Sequence, residues 1–323
     1  LHYGAREAGI TRNLKVYNVY EEIDEPGEFY VDYTNNKMYF YPVDGMNADS
    51  KMTVTNVNFD LVRMNNVSNV SLVSLEITGS RQRALSLSNC VNVAVDGCDI
   101  HMFGTDAITI SGDNSRNTGI KNSELYHFGT SGVTLGGGVE SSITPAGNYV
   151  TNCGIHDFST HKEVYGAAVY LDGVGNIVNH NDFYNTQHHV ISFHGIDNVI
   201  EYNDFHEVCR NAADMGAIYT GRDITDQEMT IRYNHFYNVG SSIASQFYPC
   251  CIFTDDGSSN MDVYNNVLGP GVENVEVFKV HGGIDNNFYN NLLIDAPQVI
   301  YQASWSKTAW YGYLSGDTEP SFK

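Results

Sequence analysis

"IEYNDFHEVC" (200–209) and "IRYNHFYNVG" (231–240) are two copies of one motif, and the way they align decides the fold. Related copies run through the chain: "VDGCDIHMFG" (95–104), "IKNSELYHFG" (120–129), "VTNCGIHDFS" (150–159), "VNHNDFYNTQ" (178–187), "DVYNNVLGPG" (262–271) and "NFYNNLLIDA" (287–296). Anchored on the apolar residue near the middle of each copy, the series reads Ile77, Ile100, Leu125, Ile155, Phe183, Phe205, Phe236, Val267 and Leu292, at intervals of 22 to 31 residues. Helical repeats of that period would place apolar residues three and four apart over ten or more positions. Here short alternating runs are broken by Gly, Asn and Asp, which is the pattern of strands. One coil of short strands cannot bury both of its faces, so coils must stack and share backbone hydrogen bonds. The expectation is an all-β chain: a right-handed parallel β-helix, a single-stranded solenoid.

The same alignment places Asn181, Asn203, Asn234, Asn265 and Asn290 in one column of five successive coils. Stacked amides at the strand spacing bond up and down as a ladder, and Asn tolerates the left-handed backbone of a turn. Cys98 and Cys153 share this column two coils apart, with Ser123 between them. At about 10 Å that is too far for a disulfide, and the six cysteines read as buried thiols.

A second strand recurs in each coil: "AITISGD" (107–113), "GVTLGGG" (132–138), "AVYLDGV" (168–174), "VISFHGI" (190–196), "AIYTGRD" (217–223), "CIFTDDG" (251–257) and "VFKVHGG" (277–283). Alternation along each strand gives two columns expected to face solvent. The first is Thr109, Thr134, Tyr170, Ser192, Tyr219, Phe253 and Lys279, and the second is Ser111, Gly136, Asp172, His194, Gly221, Asp255 and His281. From Asp172 onward, aromatic, acidic and His side chains replace Thr, Ser and Gly. Rings beside carboxylates on a long open β-face suit a sugar chain, because rings stack on pyranose C–H faces while carboxylates and His bond hydroxyls. Single surface Tyr, Asp or His residues are ordinary; their gathering over five coils points to a groove.

Within that groove the register brings Asp214 and Asp255 into neighbouring coils, about 5 Å apart along the axis plus the sideways offset of Asp214. Hydrolysis of a glycosidic bond needs one protonated and one ionised carboxyl group, and Asp255 is expected as base or nucleophile with Asp214 as acid. Gly221 leaves space beside Asp255. Arg222, Asp223 and Asp256 flank the pair as substrate contacts, with structural ion pairing as the alternative for Arg222 and Asp223.

Composition agrees with one large folded core: 42% hydrophobic, 17% charged, 30 Gly and 7 Pro in 323 residues. Seventeen Lys+Arg against 38 Asp+Glu give a net charge of −21, which repels nucleic acid and anionic membranes and favours a neutral partner. No apolar run reaches the roughly 20 residues of a membrane helix. Residues 1–60 are expected to form an N-terminal hairpin region continuing an upstream part, 61–300 the β-helix, and 301–323 a tail or cap.

The run "GIDNVIEYNDFHEV…DMGAIYTGRD…IRYNHFYNV…IFTDDGSSNMDVYNN" resembles the right-handed parallel β-helix proteins of glycoside hydrolase family 141, which include α-L-fucosidases and xylanases acting on plant polysaccharides. "VYEEIDEPGEFYVDYTNNKMYFYP" (19–42) is similar to the hairpin such proteins carry ahead of their coils. The resemblance implies that Asp214 and Asp255 are the catalytic carboxylates. It also implies that His188, His194, Tyr219 and Arg222 hold substrate beside Tyr170, Asp172 and His281. Cys250-Cys251 departs from the small or apolar lead expected into its strand. The implied protein is secreted, acts on a polysaccharide or oligosaccharide, and needs no cofactor or metal. A polysaccharide lyase would instead use Lys279, His281 or Arg222 as base, with Ca²⁺ held by carboxylates. A non-catalytic adhesin or structural β-helix is the third class.

Overall fold

The computed structural model describes residues 16–303, except 48, 212, 222, 224, 241–247, 273, 274 and 297. Contacts divide the chain into two compact units, Leu1–Val54 and Thr55–Lys323. In the first, Phe29–Asp32 pairs antiparallel with Lys37–Phe40, the hairpin read from the sequence. Its turn is set by the Asp32 carboxylate, which accepts from the Thr34 and Asn35 amides, and by Asn36 in the left-handed region at φ 51°.

The second unit is a parallel β-helix. Three sheets run its length: sheet 1 has ten strands from Val62–Asn65 to Ile300–Ala303, sheet 2 nine from Ser68–Val73 to Asn287–Tyr289, and sheet 3 nine from Glu76–Ser80 to Leu292–Leu293. The motif that opened the sequence reading bridges sheets 2 and 3. Ile200 pairs with Ile231 in sheet 2 and Phe205 with Phe236 in sheet 3. Inside, Phe183, Phe205 and Phe236 stack with centroids 5.2 and 4.5 Å apart, and all three are fully buried. Packing of this kind at every level drives the coils together.

The amide ladder lies at the corner between sheets 2 and 3. The side-chain oxygens of Asn203, Asn234 and Asn266 accept from the backbone N–H of Asn181, Asn203 and Asn234, at 3.0, 3.1 and 3.0 Å, and Asn291 continues the line under Asn266. Two members differ from the sequence expectation. Asn265 and Asn290 stand one residue outside the ladder, in the left-handed turn column at φ 55° and 54°, where the preceding coils carry Tyr202 and Tyr233. Both belong to Asn-Asn pairs, and the second Asn of each turns inward. The sheet 3 register shifts with them, so that Leu268 and Leu293, not Val267 and Leu292, lie under Phe236. Towards the N-terminal end Ser123 takes over the ladder, its hydroxyl accepting from the Cys98 amide at 3.0 Å. All six cysteines are buried free thiols.

Candidate active site

Sheet 1 presents the first outward column in the expected order and the second where Asp172 meets His194. Tyr170, Ser192, Tyr219, Phe253 and Lys279 are successive partners, as are Asp172 and His194. Tyr170, His194, Tyr219, Asp255, Asp256 and His281 are half-buried, while Asp172 and Asp214 are exposed. The far end of the first column is covered instead of solvated. Phe253 is 3% and Lys279 4% exposed, and the loop ahead of the Tyr219 strand reaches Lys279 through Asp214. From that loop Asp214 bonds the Lys279 ammonium at 2.8 Å, and the ammonium lies 4.5 Å from the centre of the Phe253 ring. Burial would lower the Lys279 pKa, but the hydrogen bond and charge of Asp214 raise it, so Lys279 is held as a cation.

Asp255 is the centre of the second group. Its carboxylate accepts from the Tyr219 hydroxyl at 3.1 Å and from His281 Nδ1 at 2.9 Å, and His281 also lies 3.1 Å from Asp256. Hydrogen bonds to Asp255 and Asp256 push His281 up to about 9 against the opposing effect of burial, making it a cation at neutral pH. Gly221 precedes Asp255 in the stack. A Cβ there would meet the Asp255 Cβ at 2.8 Å and the Tyr219 hydroxyl at 3.1 Å, so the Tyr219–Asp255 bond requires glycine.

A third group was only half visible in the sequence. His194 Nδ1 bonds Asp226 Oδ2 at 2.8 Å, and the other Asp226 oxygen accepts from the Gly195 amide at 2.7 Å. Thr220 Oγ1 also donates to Asp226 at 3.0 Å, and Asp226 is fully buried. Asp226 has no periodic position. It comes from the loop after the Tyr219 strand, and the nearest signal is its place in a short acidic run beginning at Asp223. Glu140 was likewise missed. Burial raises its pKa, and the charges of Asp172, Asp223, Asp226 and Asp113 raise it further, which marks this end of the face as strongly acidic.

His188, expected to hold substrate, is buried and not presented on the outward face. It is 4% exposed, packed at right angles to His189 and against Tyr165. His189 donates through Nδ1 to the Gly216 carbonyl at 2.9 Å and stacks on Tyr219 at 4.3 Å; burial takes its pKa down to about 4, so it is neutral. Among the described residues, His188 Nδ1, His189 Nε2 and Glu276 Oε2 are buried without a hydrogen-bond partner. Arg222 lies outside the described residues.

Ligand atoms of His194, Asp223 and Asp226, and of Asp255, Asp256 and His281, fall within 4.8 Å of one another, the spacing of a cation site. In both groups the histidine Nδ1 is already engaged with a carboxylate, so each reads as a hydrogen-bonded network. A depression of about 380 Å³ lies elsewhere, lined by Asn122, Glu124, Asn152, Gly154, His180 and Tyr184. It is the notch left where Gly154 interrupts the sheet 3 column between Glu124 and Asp182, and burial, with the charges of Asp182 and Asp99, raises the Glu124 pKa against the lowering effect of His156.

No protein-family model and no curated protein matches the chain. Among solved structures, a chain titled glycoside hydrolase matches with a TM-score of 0.61 at 14% identity, covering 86% of this chain. The match spans 57% of that structure's own length. At this identity the likeness is one of fold.

Proposed function

We propose that the protein is a carbohydrate-active enzyme, a secreted glycoside hydrolase that binds a polysaccharide or oligosaccharide along sheet 1. The observation that carries this reading is Asp255. It is a carboxylate on the open face, oriented by Tyr219 and by a cationic His281, and so aimed as a base or nucleophile must be. The solved structure of like fold carries the glycoside hydrolase title, and the motif resemblance to family 141 suggests L-fucosides or xylan as the first substrates to try. Asp214 supplies the second carboxylate. Bonded to the Lys279 ammonium, it is proposed to face the positive charge that develops on the sugar ring and not to act as the acid expected from the sequence. Lys279 and His281, two of the three bases named for a lyase, are both held protonated, which favours the hydrolase reading over elimination.

The test is release of reducing ends from fucosylated and xylan oligosaccharides by the wild type, D255N and D214N. Loss of at least about 10³-fold is expected for D255N, since acid–base help alone is worth roughly 10²–10⁴-fold, with circular dichroism unchanged. Full activity in D255N would reject the assignment.

A further inference from the structure

With Asp214 bonded to the Lys279 ammonium, the departing sugar oxygen needs another proton donor, and the His194–Asp226 pair offers one. Asp226 is fully buried, and its two oxygens take three donors: the Gly195 amide, the Thr220 hydroxyl and His194 Nδ1. Anchoring a loop accounts for the first two bonds but not for spending the third on a histidine of the groove. The backbone is shaped to permit it. Gly195 sits at φ 107°, and a Cβ there would meet the Gly173 carbonyl oxygen at 2.0 Å. With Nδ1 donating to Asp226, the other ring nitrogen points away from the pair, and among the described residues Nε2 has no hydrogen-bond partner. The His194 side chain is 31% exposed. By register Ser192 stacks on Tyr219 and Thr220 on Thr254, so His194 and Asp255 belong to coils two apart, with the Tyr219 hydroxyl reaching Asp255 from the coil between them.

We propose that His194, positioned by Asp226, is the general acid that protonates the leaving glycosidic oxygen. The proposal rests on the hydrolase reading above. As the C1–O bond breaks, its electron pair goes to the leaving oxygen, which takes the Nε2 proton. Water attacks C1 and gives one proton to Asp255, and exchange with solvent returns one proton to His194, so the net reaction is hydrolysis. Burial would discharge His194, but Asp226, then Asp223 and Asp172, raise its pKa above the ordinary value. The groups facing it are therefore Asp226 and Asp223 from the following loop, Asp172 from the preceding coil and the Tyr170 ring, 5.9 Å away.

The test compares phenyl glycosides, which need a proton on the leaving group, with 2,4-dinitrophenyl glycosides of the same sugar, which do not. Expected for H194A is a loss of about 10²–10⁴-fold on phenyl glycosides and less than about 10-fold on dinitrophenyl glycosides. Equal losses on both, with D255N inactive on both, would overturn the proposal and leave the hydrolase reading standing. A wild type inert on glycosides of both L-fucose and D-xylose would overturn the two together. Nitrogen-15 NMR titration of His194 tests the positioning role without any substrate. D226N is expected to lower the His194 pKa and, with it, the alkaline limb of the kcat profile, while an unchanged pKa would show that Asp226 does not tune it.

Discussion

Asn234 shows how much a single side chain holds in this fold. Its amide donates to the Ile200 carbonyl and to Asn266, and its oxygen accepts from both the backbone and the side-chain nitrogen of Asn203. Asn234→Ala would strand buried groups in two coils. Each costs about 1–3 kcal/mol, so the urea midpoint should fall by an amount corresponding to roughly 3 kcal/mol. A loss within experimental error would show that water replaces the ladder. Three of the five Asn named from the alignment were placed correctly. Asn265 and Asn290 were not, because adjacent asparagines offer identical chemistry to the turn and to the ladder, and only the backbone distinguishes them. His281 makes a second residue-scale prediction. Its folded pKa of about 9 stands above the ordinary 6.5, so its contribution to stability is complete below pH 6.5 and is lost as the pH rises through 9. The melting temperature should fall across that window, and the fall should be smaller in H281N.

Among the elements, the sheet 1 strands were the most legible, because alternation with period two fixes which residues share a face. What alternation cannot show is what covers that face, and so Phe253 and Lys279 were expected in solvent, and Asp226, supplied by a loop, was not foreseen. Sheet 3 carries an element with no counterpart in the sequence reading. His101, Tyr126, His156, Tyr184, His206 and Tyr237 form one continuous stack, with centroids 4.3 to 5.2 Å apart. These rings cover one another's faces, leaving only edges to solvent, so the stack braces the coils and offers no platform for a sugar. Tyr184→Ala removes two ring contacts worth about 0.5–1.5 kcal/mol each and should destabilise the fold while leaving glycoside hydrolysis intact. Lost activity in a folded Y184A variant would place function on the wrong sheet.

At the scale of the molecule, each coil contacts only its neighbours, so the solenoid can vary the outward residues of one sheet without disturbing the core beneath. The change of composition from Thr, Ser and Gly to Tyr, Asp and His along sheet 1 is that freedom put to use. The stacked geometry sets the spacing of Asp172 and His194, and of Tyr170, Ser192, Tyr219, Phe253 and Lys279, more firmly than flexible loops could. The most direct measurement is a crystal structure of D255N soaked with xylan and fucosylated oligosaccharides. A sugar chain lying over sheet 1, with one ring above Gly221 between His194 and position 255, is the expected result. Sugar bound instead in the Glu124–Tyr184 notch of sheet 3, with sheet 1 bare, would contradict it.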